Sequence, residues 1–184
     1  MKNQRTKRLF LLFILALVLS FELFSQIPVR IVYDGEIAIA TRSSSTPPIV
    51  KIPIVDVEAL KKEDKEEDGL GVPPRFGKDI DVNYTLSNSG NWENVEGGKL
   101  WKLEILSENA ISLNLIFEDF YLAKGSEINI YNKEMSMLMG PITSDVNNEY
   151  KSFATDIIKG QSIILELFEP GYSEGLSSLR DYHL

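Results

Sequence analysis

The stretch Leu100-Trp101-Lys102-Leu103-Glu104-Ile105 decides the fold class. Its alternation places Trp101, Leu103 and Ile105 on one side of an extended chain, and Lys102 and Glu104 on the other. That is the period of a strand with one dry and one wet face. Ile111, Leu113, Leu115 and Phe117 repeat the period, with Ser112 and Asn114 opposite. Glu127-Ile128-Asn129-Ile130-Tyr131-Asn132 predicts a third strand, and residues 161–168 a fourth with Ile163, Leu165 and Leu167 facing inward. Residues 79–86 and 150–157 are two further strand candidates. Turn residues fall between them at Asn88-Ser89-Gly90, Gly97-Gly98, Lys124-Gly125, Gly140-Pro141 and Lys159-Gly160. Short strands at this spacing predict an all-β fold, an antiparallel β-sandwich of jelly-roll-like type, rather than a βαβ sheet.

Working toward the N-terminus, Gly69, Gly71, Pro73 and Pro74 mark a boundary. The β-domain is expected over 73–172, with a C-terminal tail over 173–184. Before the boundary, residues 26–72 read as an extended arm followed by an acidic helix or linker. Pro47, Pro48 and Pro53 are interleaved with Ile49, Val50, Ile52, Ile54 and Val55, which forbids a stable helix and favours extended chain. Those five apolar residues need a surface to cover them. They are the candidate partner-binding residues, through an edge of the chain's own sheet or of a partner's. Asp56 is placed to cap a short helix from Val57, with Glu58 and Lys62 at i,i+4. The run Lys61-Lys62-Glu63-Asp64-Lys65-Glu66-Glu67-Asp68 then reads as a solvated face.

The first 25 residues read as a secretory signal peptide. Lys2, Arg5, Lys7 and Arg8 precede an apolar run over residues 9–19, and Ser20 and Glu22 interrupt it short of a comfortable bilayer span. Cleavage is expected near Ser25 or Gln26, with an uncleaved N-terminal anchor as the alternative. The folded part is then secreted or extracytoplasmic, in the periplasm or at the cell surface. With no Cys in the chain, a lipid-modified leader and a disulfide framework are both excluded. Removing those four basic residues and Glu22 from 19 basic and 27 acidic residues takes the net charge from −8 to −11. Such an acidic chain is unsuited to nucleic acid or to anionic membrane surfaces.

Chemistry-bearing patterns are few. Asp79, Asp81 and Asn83 imitate the start of a calcium loop. Tyr84 and Gly90 stand where that loop needs Gly and Glu, so the alternation better suits the wet face of a strand. The single His, His183, lies beside the C-terminal residue, and there is no Gly-x-Ser-x-Gly elbow. With one His and no Cys a zinc site would have to rest almost entirely on carboxylates, a poor donor set for zinc, and no cofactor is implied. Trp101 shares the apolar face of Leu103 and Ile105. Trp92 lies outside any clear alternation and is the candidate aromatic surface residue, of a kind that could stack on sugar rings.

Several stretches together resemble a known family. They are Ile52-Pro53-Ile54-Val55-Asp56-Val57-Glu58-Ala59-Leu60, Glu63-Asp64, Pro74-Arg75-Phe76-Gly77, Asn88-Ser89-Gly90-Asn91-Trp92-Glu93, and Leu100-Trp101-Lys102-Leu103. Ser107-Glu108-Asn109-Ala110-Ile111-Ser112-Leu113-Asn114-Leu115, Ile130-Tyr131-Asn132, Ser152-Phe153-Ala154-Thr155 and Glu166-Leu167-Phe168-Glu169-Pro170 continue the series. Across residues 49–170, the chain resembles the non-catalytic pro-region or accessory β-domain of secreted bacterial trypsin-like serine endopeptidases of the lysyl-endopeptidase type. The resemblance implies an exported region that precedes the protease and serves as folding aid or inhibitor, with catalytic His, Asp and Ser in the domain that follows. No catalytic residue is therefore carried over to these positions, and the implied partner is a protease-type domain. The alternative is an independent adhesion module for glycans or proteins.

Overall fold

The computed structural model describes residues 31–33, 42–68, 70–173 and 175–183. The stretch expected to be a signal peptide and its expected cleavage site lie outside them. Among the described residues the fold is mostly strand, with one α-helix. No helix among them is long and apolar enough to cross a membrane.

The largest sheet is built on two nine-residue strands, β5 (Gly98–Leu106) and β12 (Ser162–Pro170), paired antiparallel along their whole length. Beyond β12 lie β8 (Glu127–Asn132), β9 (Met137–Thr143) and β1 (Ile31–Tyr33). Two short strands share the far edge of β5. β4 (Asn91–Val95) covers Gly98 to Lys102 through the Glu96-Gly97 turn, and β2 (Ile49–Lys51) covers Glu104 to Leu106. The β2–β5 pair is parallel, so this sheet is mixed rather than purely antiparallel.

A second sheet has the order β10 (Phe153–Ala154), β7 (Ile116–Phe117), β13 (Arg180–His183) and β3 (Asp81–Thr85). β6 (Ser112–Leu113) and β11 (Ile158–Lys159) form a two-stranded ribbon. One apolar core joins all three sheets. It takes Trp101, Leu103 and Ile105 from β5, Ile163, Leu165 and Leu167 from β12, and Leu113, Leu115 and Phe117 from the facing elements. Phe120 stacks on Phe153 at 4.6 Å between ring centroids and meets Phe117 edge-on at 5.5 Å.

Three expectations are corrected. Lys102 and Glu104 are not on a wet face; they are 5% and 2% exposed. The reason is that β12 is apolar on both faces: Ile164 and Phe168 back onto the side that also holds Leu100 and Leu138, all four buried. Residues 111–117 do not form one inward strand. They split between two sheets, and Ile111 precedes the first strand, its carbonyl tied to the Gly160 N–H at 2.8 Å, with its side chain exposed. Residues 173–184, read as a tail, contain β13, an inner strand, and Leu179 is buried. The backbone of His183, at the end of that strand, pairs with Asp81 and Ile116.

The helix follows its sequence. Helix α1 (Val57–Glu67) starts where Asp56 accepts a hydrogen bond from the Ala59 N–H at 3.0 Å. Within the helix Glu58 pairs with Lys61 and Lys62 with Glu66, both exposed, in place of the expected Glu58–Lys62 pair. None of its residues is buried, so the helix covers little of the core.

Candidate functional site

The five arm residues separate on folding. Val50 and Ile52 turn to the core side of β5, where Ile52 is 4% exposed and its N–H reaches the Leu106 carbonyl at 2.8 Å. Ile49 and Ile54 remain exposed, and Val55 is half-buried. The arm is thus part of the chain's own sheet. The segment just before it lies on the other face of that sheet. Arg42 sits 3.6 Å over the Phe168 ring and pairs with Glu127. Ser43 and Ser45 offer their carbonyls to Lys102 Nζ at 2.9 and 3.3 Å. Lys102 Nζ also lies 3.5 Å from Glu166 Oε2, to which Tyr131 Oη donates at 3.3 Å. Burial and the neighbouring Glu166 charge push the Tyr131 phenol well above its ordinary value. Lys133 reaches Glu104 Oε1 at 3.1 Å. These charges are paired and hydrogen-bonded and hold the arm in place.

Two concave surfaces lie toward opposite ends of β5, one lined by Lys99 and the other by Ser107, just past its last residue. At the Leu106 end, Val55, Val57 and Leu60 face the segment from Ala110 to Leu113 across a groove of about 890 Å³. Phe76 and Ile111 stand 84% and 85% exposed on its rim, with Ile116 and Ile157 beside them. Arg75 fixes the helix as one wall, donating to Asp64 at 2.8 Å and Glu63 at 2.9 Å. Those carboxylates, Asp64 first, raise the guanidinium's pKa. Ile116 is paired with β13, so the last described residues of the chain run alongside this groove.

At the Gly98 end, a cleft of about 550 Å³ is centred on Trp92. Trp92 lies directly across from Trp101 in the β4–β5 pair. Trp101 is buried, as its pattern predicts, and donates to the Ser89 carbonyl at 2.9 Å. Trp92 is 39% exposed, and its indole N–H is fixed to the Leu86 carbonyl at 3.2 Å. Here the core side of the sheet changes from apolar to polar: Asn94, Lys99 and Glu169 follow Trp92, Trp101 and Leu167. Glu169 is oriented by the Ser177 N–H at 3.0 Å. On the rim, Glu93 accepts the Ser45 hydroxyl at 2.6 Å; hydrogen bonds from Ser45 and then Ser43 lower its pKa below the ordinary carboxylate value.

Asp81 and Asn83 occupy the exposed positions of β3, in keeping with the wet-face reading. Among the described residues, no three His, Asp or Glu side chains converge as metal ligands would. The groove was missed in sequence because Ile111 fits the inward alternation of its neighbours, and only its position before the strand's first residue turns it outward. No protein-family model and no solved structure matches this chain.

Proposed function

We propose that this chain is an exported, non-catalytic accessory module with a β-sandwich fold of jelly-roll-like type. In this reading it packs against a trypsin-like protease domain and aids its folding or restrains it. The observation that carries the reading is the groove beside β13, where the large apolar side chains of Phe76, Ile111, Ile116 and Ile157 are all exposed among polar neighbours. Exposed apolar residues gathered at one groove and rimmed by polar ones are the composition of a protein-interaction surface. A domain joined after β13 would emerge beside it, and tethering holds a partner at about millimolar effective concentration, so weak contacts suffice. What supports the sandwich reading is that a single core draws residues from both the largest sheet and the β10-β7-β13-β3 sheet. Because the arm is bound to its own sheet, contact with the partner falls to the groove, with Val55 in its lining.

The test is the refolding yield of a denatured lysyl-endopeptidase-type catalytic domain, with and without residues 27–184. The expected result is a higher yield or slower substrate turnover with the module present, lost in Phe76→Asp/Ile111→Asp. Equal yield and turnover under all conditions would refute the reading. A second reading, an independent adhesion module for glycans or proteins, is favoured by the half-exposed, fixed Trp92 at the other end of β5.

A further inference from the structure

We infer that the Trp92 cleft is a saccharide-binding site for a neutral oligosaccharide of pyranose sugars. The inference goes beyond protease docking and survives its failure, since the cleft and the groove lie at opposite ends of β5.

Three observations converge on that ligand. First, Trp92 is an aromatic surface held in advance: its N–H is satisfied by the Leu86 carbonyl, so the exposed part of the ring has only its π-surface to offer. Such a surface pairs with the C–H-rich face of a pyranose and costs little ordering on binding. Second, the cleft sets hydrogen-bonding groups beside its apolar lining of Trp92, Leu86 and Leu176. Asn94 and Ser87 both donate and accept, Lys99 donates, and Glu169 accepts. A wholly apolar ligand would leave those groups desolvated and unpaired, whereas sugar hydroxyls match them. Third, the volume of about 550 Å³ falls in the range of small-ligand sites and is open at one side, as a chain of sugar units requires. The charge balance selects among sugars. The chain carries net charge −8, and within the cleft Glu169 offsets the single cation Lys99, so uronic-acid or sulfated polysaccharides are disfavoured.

The experiment titrates the protein with hexasaccharides of glucose, mannose and N-acetylglucosamine, following tryptophan emission and calorimetric heat. The chain has two Trp residues, and Trp101 is buried, so a change in emission reports on Trp92. At least one neutral hexasaccharide should bind saturably with an altered emission spectrum. Trp92→Ala should weaken binding about tenfold or more, while Trp92→Tyr, which keeps an aromatic face, retains most of it. Lys99→Met and Glu169→Gln should each weaken binding several-fold, with the melting temperature unchanged. Absence of saturable binding by all three hexasaccharides up to about 10 mM would overturn the inference. So would undiminished binding by Trp92→Ala, or binding of an anionic polysaccharide alone.

Discussion

Lys102→Met removes the cation that joins the arm to the largest sheet while keeping most of the buried aliphatic stem. In the native protein its Nζ makes two hydrogen bonds to the Ser43 and Ser45 carbonyls and an ion pair with Glu166. Glu166 is 4% exposed, so after the substitution its charge is left in a dry site with the 3.3 Å bond from Tyr131. Breaking one side of a buried pair costs about 3–5 kcal/mol. A domain of this size is stable by about 5–15 kcal/mol, so the loss is a large fraction of the total. In urea unfolding followed by tryptophan emission, the midpoint should fall by at least about 1 M, given a slope of about 1–3 kcal/mol per M. Lys102→Met combined with Glu166→Gln should be less destabilised than the two single losses added, with a coupling of about 1.5 kcal/mol or more. A midpoint within about 0.2 M of the parent would refute this account, because that is the behaviour of a lysine on a wet face.

Other perturbations probe separate parts of the structure. Ile52→Ala should cost about 2–4 kcal/mol in the same unfolding assay, because Ile52 belongs to the core; a cost under about 0.5 kcal/mol would show the arm undocked. Gly90→Ala should destabilise by more than about 1 kcal/mol, since φ is +71° and the new Cβ would lie 2.6 Å from the Lys102 carbonyl and 2.4 Å from the Trp101 ring. Tyr131 supplies a pH signature. Its folded pKa lies above the ordinary 10.0, so below pH 10 both states hold the proton and it adds no pH dependence. Above that value the unfolded chain loses the proton first, and stability falls as pH rises. In alkaline unfolding scans Tyr131→Phe should flatten that fall, and an unchanged profile would count against burial of the phenol beside Glu166.

The sequence was most informative about the core-facing side of each strand and about the helix start. Ile163, Leu165 and Leu167 alternate and lie in the core, and Asp56 caps its helix as its position predicts. The reading failed where burial was two-sided. Lys102 and Glu104 look like the wet half of an amphipathic strand, and only their partners on β12 reveal otherwise. Ile164 and Phe168 make that strand nearly continuous in apolar residues, which is the signal of a strand covered on both faces. Pairings distant in sequence were also hidden. Nothing near Arg180 points to its pairing with Thr85, and the parallel junction of Ile49 with Glu104 depends on how the arm crosses the fold's edge. Of the candidate sites, Trp92 stood out because it fits no alternation. The groove did not, because Phe76 and Ile111 are brought together by helix and ribbon far apart in the chain.

Docking of a protease domain in the groove is the central claim, and a heteronuclear NMR titration tests it most directly because weak contacts remain visible. Isotope-labelled residues 27–184 would be titrated with the unlabelled catalytic domain of a lysyl-endopeptidase-type protease, inactivated at its serine. The account predicts shifts concentrated at Phe76, Ile111, Ile116 and Ile157, abolished by Phe76→Asp/Ile111→Asp and untouched by Trp92→Ala. Because Phe76 and Ile111 are exposed, those variants should keep the parent's stability within about 0.5 kcal/mol. Shifts confined to the Trp92 end of β5, or no shifts at millimolar protease domain, would contradict it.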